Sequence, residues 1–220
     1  RGKIVNNTIA IIDYGIGNVQ SIENALNKFG IKAVLTKDKD TILEASGIIL
    51  PGVGAFKKAM DELIVRDLHN SINEFVKTDK PLLGLCLGMQ LLFDNSQEFG
   101  LTQGLGLIQG EVSRLPVLSD LKLPHIEWGS ITEGEVLWEN TILDNLRNNE
   151  RMYFIHSYVC NPRNKKVILA TSKYGDMNFC AAVKSNNIYG CQFHPEKSSE
   201  FGLAIIKNFI NLSLNKTQND

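Results

Sequence analysis

The chain has 220 residues, 43% of them hydrophobic, with 23 Lys and Arg against 24 Asp and Glu and a formal net charge of -1. That balance gives no reason to expect a nucleic-acid or acidic-membrane partner, and no apolar run reaches the roughly 18 residues of a membrane span. The length fits one domain with a substantial core.

The opening stretch, RGKIVNNT, lacks the apolar core of a signal peptide. TIAIIDYG (8–15) reads as a buried strand ending in a glycine turn, and NVQSIENALNKFG (18–30) as a helix stopped by its terminal glycine. IKAVLT (31–36) and GIILPG (47–52) are further strands. A helical stretch over 55–78 is expected to break near Asp67. Pro81 opens a short buried strand over 81–85, and Leu87, Leu91 and Leu92 sit at helical spacing within 87–93. This alternation predicts βαβ units and a parallel sheet covered on both faces. The second half changes character. GLIQGEVSRL (106–115), MYFIHSYVC (152–160), VILATSKYG (167–175), FCAAVKSNN (179–187) and IYGCQFHPE (188–196) read as short strands, some paired antiparallel. FGLAIIKNFINLSL (201–214) reads as a closing amphipathic helix, and NKTQND as a frayed tail. The expectation is a single α/β domain over 1–220, with its core over about 8–214 and a doubly wound, mixed but mostly parallel sheet.

The junction PLLGLCLGMQLLF (81–93) carries the first chemical signal. Cys86 falls where a strand turns into a helix, with Gly84 and Gly88 two residues to either side to permit a sharp bend. This is the nucleophile-elbow pattern with sulfur in place of oxygen. A helix N-terminus favours a thiolate, although a buried structural cysteine is the competing reading. The other cysteines, Cys160, Cys180 and Cys191, form no C-x-x-C pair or metal-finger spacing, so a reduced, cytoplasmic protein without a metal site is expected.

Parallel sheets bind ligands at the carboxyl ends of their strands. Asp13-Tyr14-Gly15, Pro51-Gly52-Val53-Gly54 and Cys86 all lie at such ends. A thiolate nucleophile needs a base and a group that orients the base. Of His69, His125, His156 and His194, the last is followed by Pro195-Glu196. In an extended segment Glu196 lies on the same side as His194, while Pro195 stiffens the link. A solvated strand end is the alternative. The Leu87 N–H after the nucleophile, and the loop PGVGAF (51–56) with Gly52 and Gly54, offer oxyanion donors. DYGIGN (13–18) lacks the third glycine of a dinucleotide fingerprint, and no P-loop lysine is present, so nucleotide cofactors are not expected.

IIDYGIGN (11–18), PGVGAF (51–56), PLLGLCLGMQLLF (81–93), GLGLIQGEV (104–112), PHIEW (124–128), YFIHSY (153–158) and QFHPEKS (192–198) occur in an order that resembles the class I glutamine amidotransferases. Among them the chain is most similar to the family of glutaminase subunits of imidazole glycerol phosphate synthases, over nearly its whole length. The resemblance implies a flavodoxin-like fold and hydrolysis of L-glutamine by Cys86, His194 and Glu196 through a γ-glutamyl thioester. It implies an oxyanion hole from Val53, Gly54 and Leu87, and a substrate pocket involving Gly52, Gln90, His156, Ser157 and Tyr158. Asn18, Trp128 and Lys197 match positions at the interface with a (β/α)8-barrel synthase subunit. In that heterodimer, channelled ammonia makes imidazole glycerol phosphate and an aminoimidazole carboxamide ribonucleotide for histidine biosynthesis. No metal or organic cofactor is implied. One segment departs from the family pattern: PHIEWGS has Glu127 for a glycine and Gly129 for an asparagine, on what the resemblance makes the partner-facing side. A paralogous glutaminase subunit serving a sugar or glycan-precursor amidotransferase is therefore the leading alternative. A non-catalytic scaffold and a thiol peptidase are further readings; the intact Cys, His and Glu argue against the first, and the glutamine-pocket segments against the second.

Overall fold

The structure is a computed structural model and describes residues 8–17, 19–117 and 122–217. The opening segment through residue 7, Asn18 and residues 218–220 lie outside the described residues.

In chain order the elements are β1 (Thr8–Ile12), α1 (Gln20–Asn27), β2 (Lys32–Thr36), α2 (Lys39–Glu44), β3 (Gly47–Leu50), α3 (Phe56–Val65), α4 (Leu68–Val76), β4 (Leu82–Leu85), α5 (Leu87–Leu91), β5 (Phe93–Ser96), β6 (Thr102–Gln103) and β7 (Ile108–Arg114). They continue with β8 (His125–Ser130), β9 (Thr132–Glu133), β10 (Arg151–His156), β11 (Tyr158–Pro162), β12 (Ile168–Tyr174), β13 (Met177–Ser185), β14 (Ile188–Cys191) and α6 (Ser199–Thr217).

The main sheet runs β2-β1-β3-β4-β14-β13-β11-β7-β5-β6, with β12 and β9 branching from β13. From β2 through β14 every neighbouring pair is parallel. Beyond β14 the pairs are antiparallel, except β5 with β7. Strand alternation explains why both faces are covered. Ile9 and Ile11 point into a core shared with Ile22 and Leu26 of α1 and Ile206 and Phe209 of α6. Ala10 and Ile12 point into the opposite core, with Phe56 and Met60 of α3 and Ile72 and Phe75 of α4. Strands buried on both sides read as unbroken apolar runs, which is why this half matches the sequence expectation.

The helix break falls at Asp67, whose φ of 57° is left-handed and ends α3 before α4 begins. Three expectations need correction. The helix expected over 87–93 ends at Leu91, and Phe93 opens a strand. The N–H groups of Leu105, Leu107 and Ile108 bond the carbonyls of Leu91 and Leu92, so tertiary pairing takes the acceptors a longer helix needs. The strand expected over 188–196 ends at Cys191, and a 3-10 turn spans Pro195–Lys197. The closing helix runs through Thr217, past the start of the stretch read as frayed.

A separate two-stranded ladder, β8 with β10, lies against one face of the main sheet. Its inward side carries His125, Glu127 and Gly129 opposite His156, Phe154 and Met152. Phe154 stands 5.5 Å from Phe179 and 5.6 Å from Phe193, ring centre to ring centre. The outward side presents Ile126, Trp128 and Ile155, all at least 37% exposed. Glu127 therefore sits on the side away from Trp128, and the departures from the family pattern do not share that apolar outer face. Gly129 fits because a Cβ there meets the Phe154 ring at 3.1 Å and the Ser172 Oγ at 3.2 Å.

Candidate active site

Three neighbouring strands deliver the candidate residues. β3, β4 and β14 lie side by side with Leu50 beside Gly84 and Gly84 beside Gly190. The loops leaving their carboxyl ends are Pro51–Gly54, Cys86 and the segment to His194. The Cys86 N–H bonds the Cys191 carbonyl at 2.7 Å, so the elbow is tied directly to the strand that leads to the histidine.

The sharp bend is at Cys86 itself, with φ 53° and ψ -109°, a region costing about 1–3 kcal/mol for a residue with a side chain. Gly84 and Gly88 have a different role from the flexibility expected of them. A Cβ on Gly88 lands 1.9 Å from the Leu50 carbonyl oxygen, and one on Gly84 lands 2.7 Å from the Gly88 oxygen. They are glycines because backbones cross there. Gly52 packs in the same way, its missing Cβ facing the Gly88 N at 2.7 Å. It backs the elbow and does not line the cleft, unlike the substrate-pocket role implied for it. Tyr14 donates to the Pro51 carbonyl at 2.6 Å and anchors the base of the loop. Its phenol is pushed up by burial and, next, by the neighbouring Cys86.

A cavity of about 360 Å3 is lined by Val53, Gly54, Cys86, Leu87, Gln90, His156, Ser157, Tyr158 and His194, together with Glu98, Pro124 and Ile155. His194 Nδ1 meets Glu196 Oε1 at 2.8 Å, with both side chains about 5% exposed or less. This pair forms across the 3-10 turn, not along the extended strand expected from the sequence. Ser198 supports it: its Oγ donates to the His194 carbonyl at 2.6 Å and accepts the Tyr153 N–H at 3.0 Å. Burial alone lowers the His194 imidazole; the Cys86 sulfur and the Glu196 carboxylate outweigh it and hold it up at about 10. His194 Nε2 has no aligned hydrogen-bond partner. In its thiol form Cys86 turns to the Ile155 carbonyl at 3.8 Å; the sulfur raises the His194 ring by its nearness as a hydrogen-bond partner and, as thiolate, by its charge.

Gln90 is held by its amide nitrogen, which donates to the Tyr158 carbonyl at 3.2 Å and to Gln192 Oε1 at 3.0 Å. That leaves its own Oε1 available to a ligand donor. Gln192, fully buried, also donates to the Cys86 sulfur at 3.8 Å. Glu98 accepts the Phe56 N–H at 2.6 Å and brings a carboxylate to the cavity wall. His156 gives Nδ1 to the Tyr158 carbonyl at 2.9 Å and Nε2 to His125 at 2.9 Å, so neither ring nitrogen is free for a ligand. Burial, reinforced by His125 and His194, pulls its imidazole down to about 3 against the Tyr158 bond.

Glu196 and Lys197 stand behind the cavity, with Pro51, Gly52, Val53 and His194, around a crevice of about 10 Å3. Trp128 lies on the outer face of β8, its ring 5.9 Å from that of Tyr153. Asn18 lies outside the described residues. Sequence reasoning missed Glu98, Gln192 and Ser198, and placed Tyr14 on the rim without its anchoring role. Gln192 and Ser198 stand inside the segment QFHPEKS, where polar residues flanking His-Pro-Glu were a usable signal; Glu98 gave none. Among the described residues no group of three His, Cys, Asp or Glu side chains is placed to hold a metal ion, and no helix is long and apolar enough to cross a membrane.

A family model described as class-I glutamine amidotransferase matches residues 10–212. Among curated relatives, the imidazole glycerol phosphate synthase subunit HisH of Geobacter metallireducens is 44% identical over 207 residues, covering 92% of this chain and 97% of its own. The protein of the same name in Bacillus cereus is 45% identical over 201 residues, covering 91% and 93%. Subunit HisH 1 of Legionella pneumophila is 43% identical over 212 residues, covering 93% and 99%. A solved glutamine amidotransferase superposes with a TM-score of 0.70 at 19% identity, covering 93% of this chain and 98% of its own. The PurLQS structure from Thermotoga maritima gives 0.71 at 19% identity, covering 93% and 97%. These structures share the fold.

Proposed function

The chain belongs to the class-I glutamine amidotransferase family, and from that premise we propose that it is the glutaminase subunit of an imidazole glycerol phosphate synthase, releasing ammonia from L-glutamine for histidine biosynthesis. The observation that carries this reading is Cys86, on a strained elbow, sharing one cavity with a buried His194–Glu196 pair. The three curated relatives described above are each named as a subunit of imidazole glycerol phosphate synthase, and none of the three supports the sugar-precursor alternative.

In the mechanism, Cys86 turns from the Ile155 carbonyl and its proton passes to His194, which the resulting thiolate and the Glu196 carboxylate then hold as imidazolium. The sulfur attacks the side-chain carboxamide carbon of glutamine. The oxyanion faces the Leu87 N–H, which no intrahelical acceptor reaches at the head of α5, and the N–H groups of Val53 and Gly54. Collapse breaks the C–N bond, and His194 protonates the departing ammonia. Water then enters, His194 removes its proton, and the γ-glutamyl thioester is cleaved to glutamate and free thiol. Glu196 keeps the imidazole oriented through Nδ1. Gln90 Oε1 and the Glu98 carboxylate are the acceptors suited to the substrate ammonium, while Ser157 and Tyr158 form the wall. The remaining roles follow the family: a (β/α)8-barrel synthase partner docks near Trp128, Lys197 and Asn18, receives ammonia past the crevice at Lys197, and works with this chain in the cytoplasm. Residues 8–214 form the functional core. The exposed Ile126, Trp128 and Ile155 support such a docking face. Gly54, with φ 90° and no atom within 4 Å of an added Cβ, lets the oxyanion loop shift on docking, so the lone subunit is expected to turn over glutamine slowly.

The test is Cys86→Ala in the complex. Glutamine-dependent synthesis is expected to fall more than about a thousandfold, while synthesis from added ammonium salts persists. Loss of both would remove the assignment of the thiol to ammonia release.

A further inference from the structure

Gln192 touches both the nucleophile and the residue that faces the ligand. It follows β14 directly, two positions before His194, and is completely buried. Its backbone N–H bonds the Ala181 carbonyl at 2.8 Å, so the side chain rises from a fixed base. Its Oε1 lies 3.0 Å from Gln90 Nε2, and its Nε2 lies 3.8 Å from Cys86 Sγ.

The direction of this amide follows from its neighbours. A backbone carbonyl only accepts, so the Gln90 group 3.2 Å from the Tyr158 oxygen is the NH2. That NH2 turns its second hydrogen to Gln192, which answers with Oε1. The Gln192 NH2 is thereby aimed at the sulfur. Turning Gln90 over would set two acceptors against each other, and turning Gln192 over would set two donors. A thiol and a thiolate use the Gln192 donor differently. The thiol spends its own proton on the Ile155 carbonyl at 3.8 Å, and its sulfur accepts weakly. A thiolate accepts the N–H as a charge-assisted bond, roughly twice as strong, and a bond to the charged form favours that form. The titratable groups around the sulfur are His194 with Glu196, Tyr14 after β1, Cys160 on β11, and His156 and Glu98 across the cavity. Gln192 is neutral and adds to His194 without competing for its proton.

We propose that Gln192 is a further catalytic residue of glutamine hydrolysis: one amide donates to the Cys86 sulfur as the thiolate forms and accepts from Gln90, leaving the Gln90 oxygen to the ligand. The donor acts twice in each cycle, because the sulfur leaves again as a thiolate when water cleaves the thioester. Nucleophile and recognition wall are thereby joined through a single buried side chain. The inference rests on the glutaminase reading above.

The experiment compares Gln192→Met and Gln192→Leu with the parent, in the complex with the synthase subunit. Both side chains are close to glutamine in size and differ in shape, and neither can donate to sulfur. The readouts are alkylation of Cys86 by iodoacetamide across pH without glutamine, followed by mass spectrometry, together with glutamine kinetics and melting temperature. The acid limb of the alkylation profile is expected to move up by about one pH unit in both variants, the difference between a charge-assisted and a neutral bond. KM for glutamine is expected to rise about three- to tenfold as Gln90 loses a partner, and kcat to fall about tenfold. An acid limb that stays in place overturns the proposal even where KM rises, since Gln192 would then only prop Gln90. So does a displacement found in one folded variant and absent from the other, or one that tracks a lost melting temperature, because packing would explain it. If one variant does not assemble, the other decides. An inactive parent complex contradicts the glutaminase reading instead, and the alkylation profiles still decide whether Gln192 acts on the sulfur.

Discussion

On one side of the cavity, Cys86 follows β4 with a left-handed φ of 53° and a thiol turned to the Ile155 carbonyl. On the other, His156 and Tyr158 stand at the junction of β10 and β11, with both His156 nitrogens bonded. The first wall stores backbone strain and leaves its reactive atoms without aligned partners: His194 Nε2 and Glu196 Oε2 are buried and unpaired. The second wall satisfies its groups and fixes a binding surface. Chemistry is placed where polar groups wait for a substrate, and recognition where they are already committed.

Three changes separate these walls further. The largest effect is expected on the reactive side. Glu196→Gln removes the carboxylate charge that orients and stabilises the His194 imidazolium through Nδ1, and glutamine-dependent kcat is expected to fall by about 10^3–10^4-fold, as read by glutamate release from the complex. The same variant carries a pH signature. The folded His194 value of about 10 lies above the ordinary 6.5. Its stabilisation is therefore full below pH 6.5 and lost as pH rises through about 10. The melting-temperature advantage of the parent over Glu196→Gln should shrink across that window; a constant gap would show that the pair does not carry the imidazolium.

The next effect concerns the crossing of backbones beneath the elbow. Gly88→Ala places a carbon against the Leu50 carbonyl and is expected to cost about 3 kcal/mol in urea unfolding. A near-neutral result would mean that β3 and the elbow are less tightly joined than described.

The smallest effect belongs to the committed wall. The folded His156 value of about 3 lies below the ordinary 6.5. Its contribution is present above pH 6.5 and is lost as pH falls toward about 3. His156→Gln should therefore melt with a shallower acid dependence than the parent over that range. Equal slopes would place the acid sensitivity in other groups.

The same contrast explains what the sequence made legible. β1, β3 and β4 are buried on both faces, so TIAII, GIIL and LLGL read directly as strands, and the order of loops on the rim followed. The elbow and His-Pro-Glu were visible because covalent catalysis restricts the residue types at short spacing. β8 escaped notice because its pattern is inverted: His125, Glu127 and Gly129 face inward, while Ile126 and Trp128 face out. Glu98 and Gln192 acquire their roles from contacts with Phe56 and Gln90, far away in sequence. The early end of α5 was likewise set by tertiary pairing that local periodicity does not encode.

The central claim is tested most directly by mass spectrometry of the complex after treatment with a diazo-ketone analogue of glutamine. The account predicts a single stoichiometric adduct on the peptide carrying Cys86, prevented by excess glutamine. An unlabelled Cys86, or labelling that falls equally on the buried Cys160, Cys180 and Cys191, would contradict it.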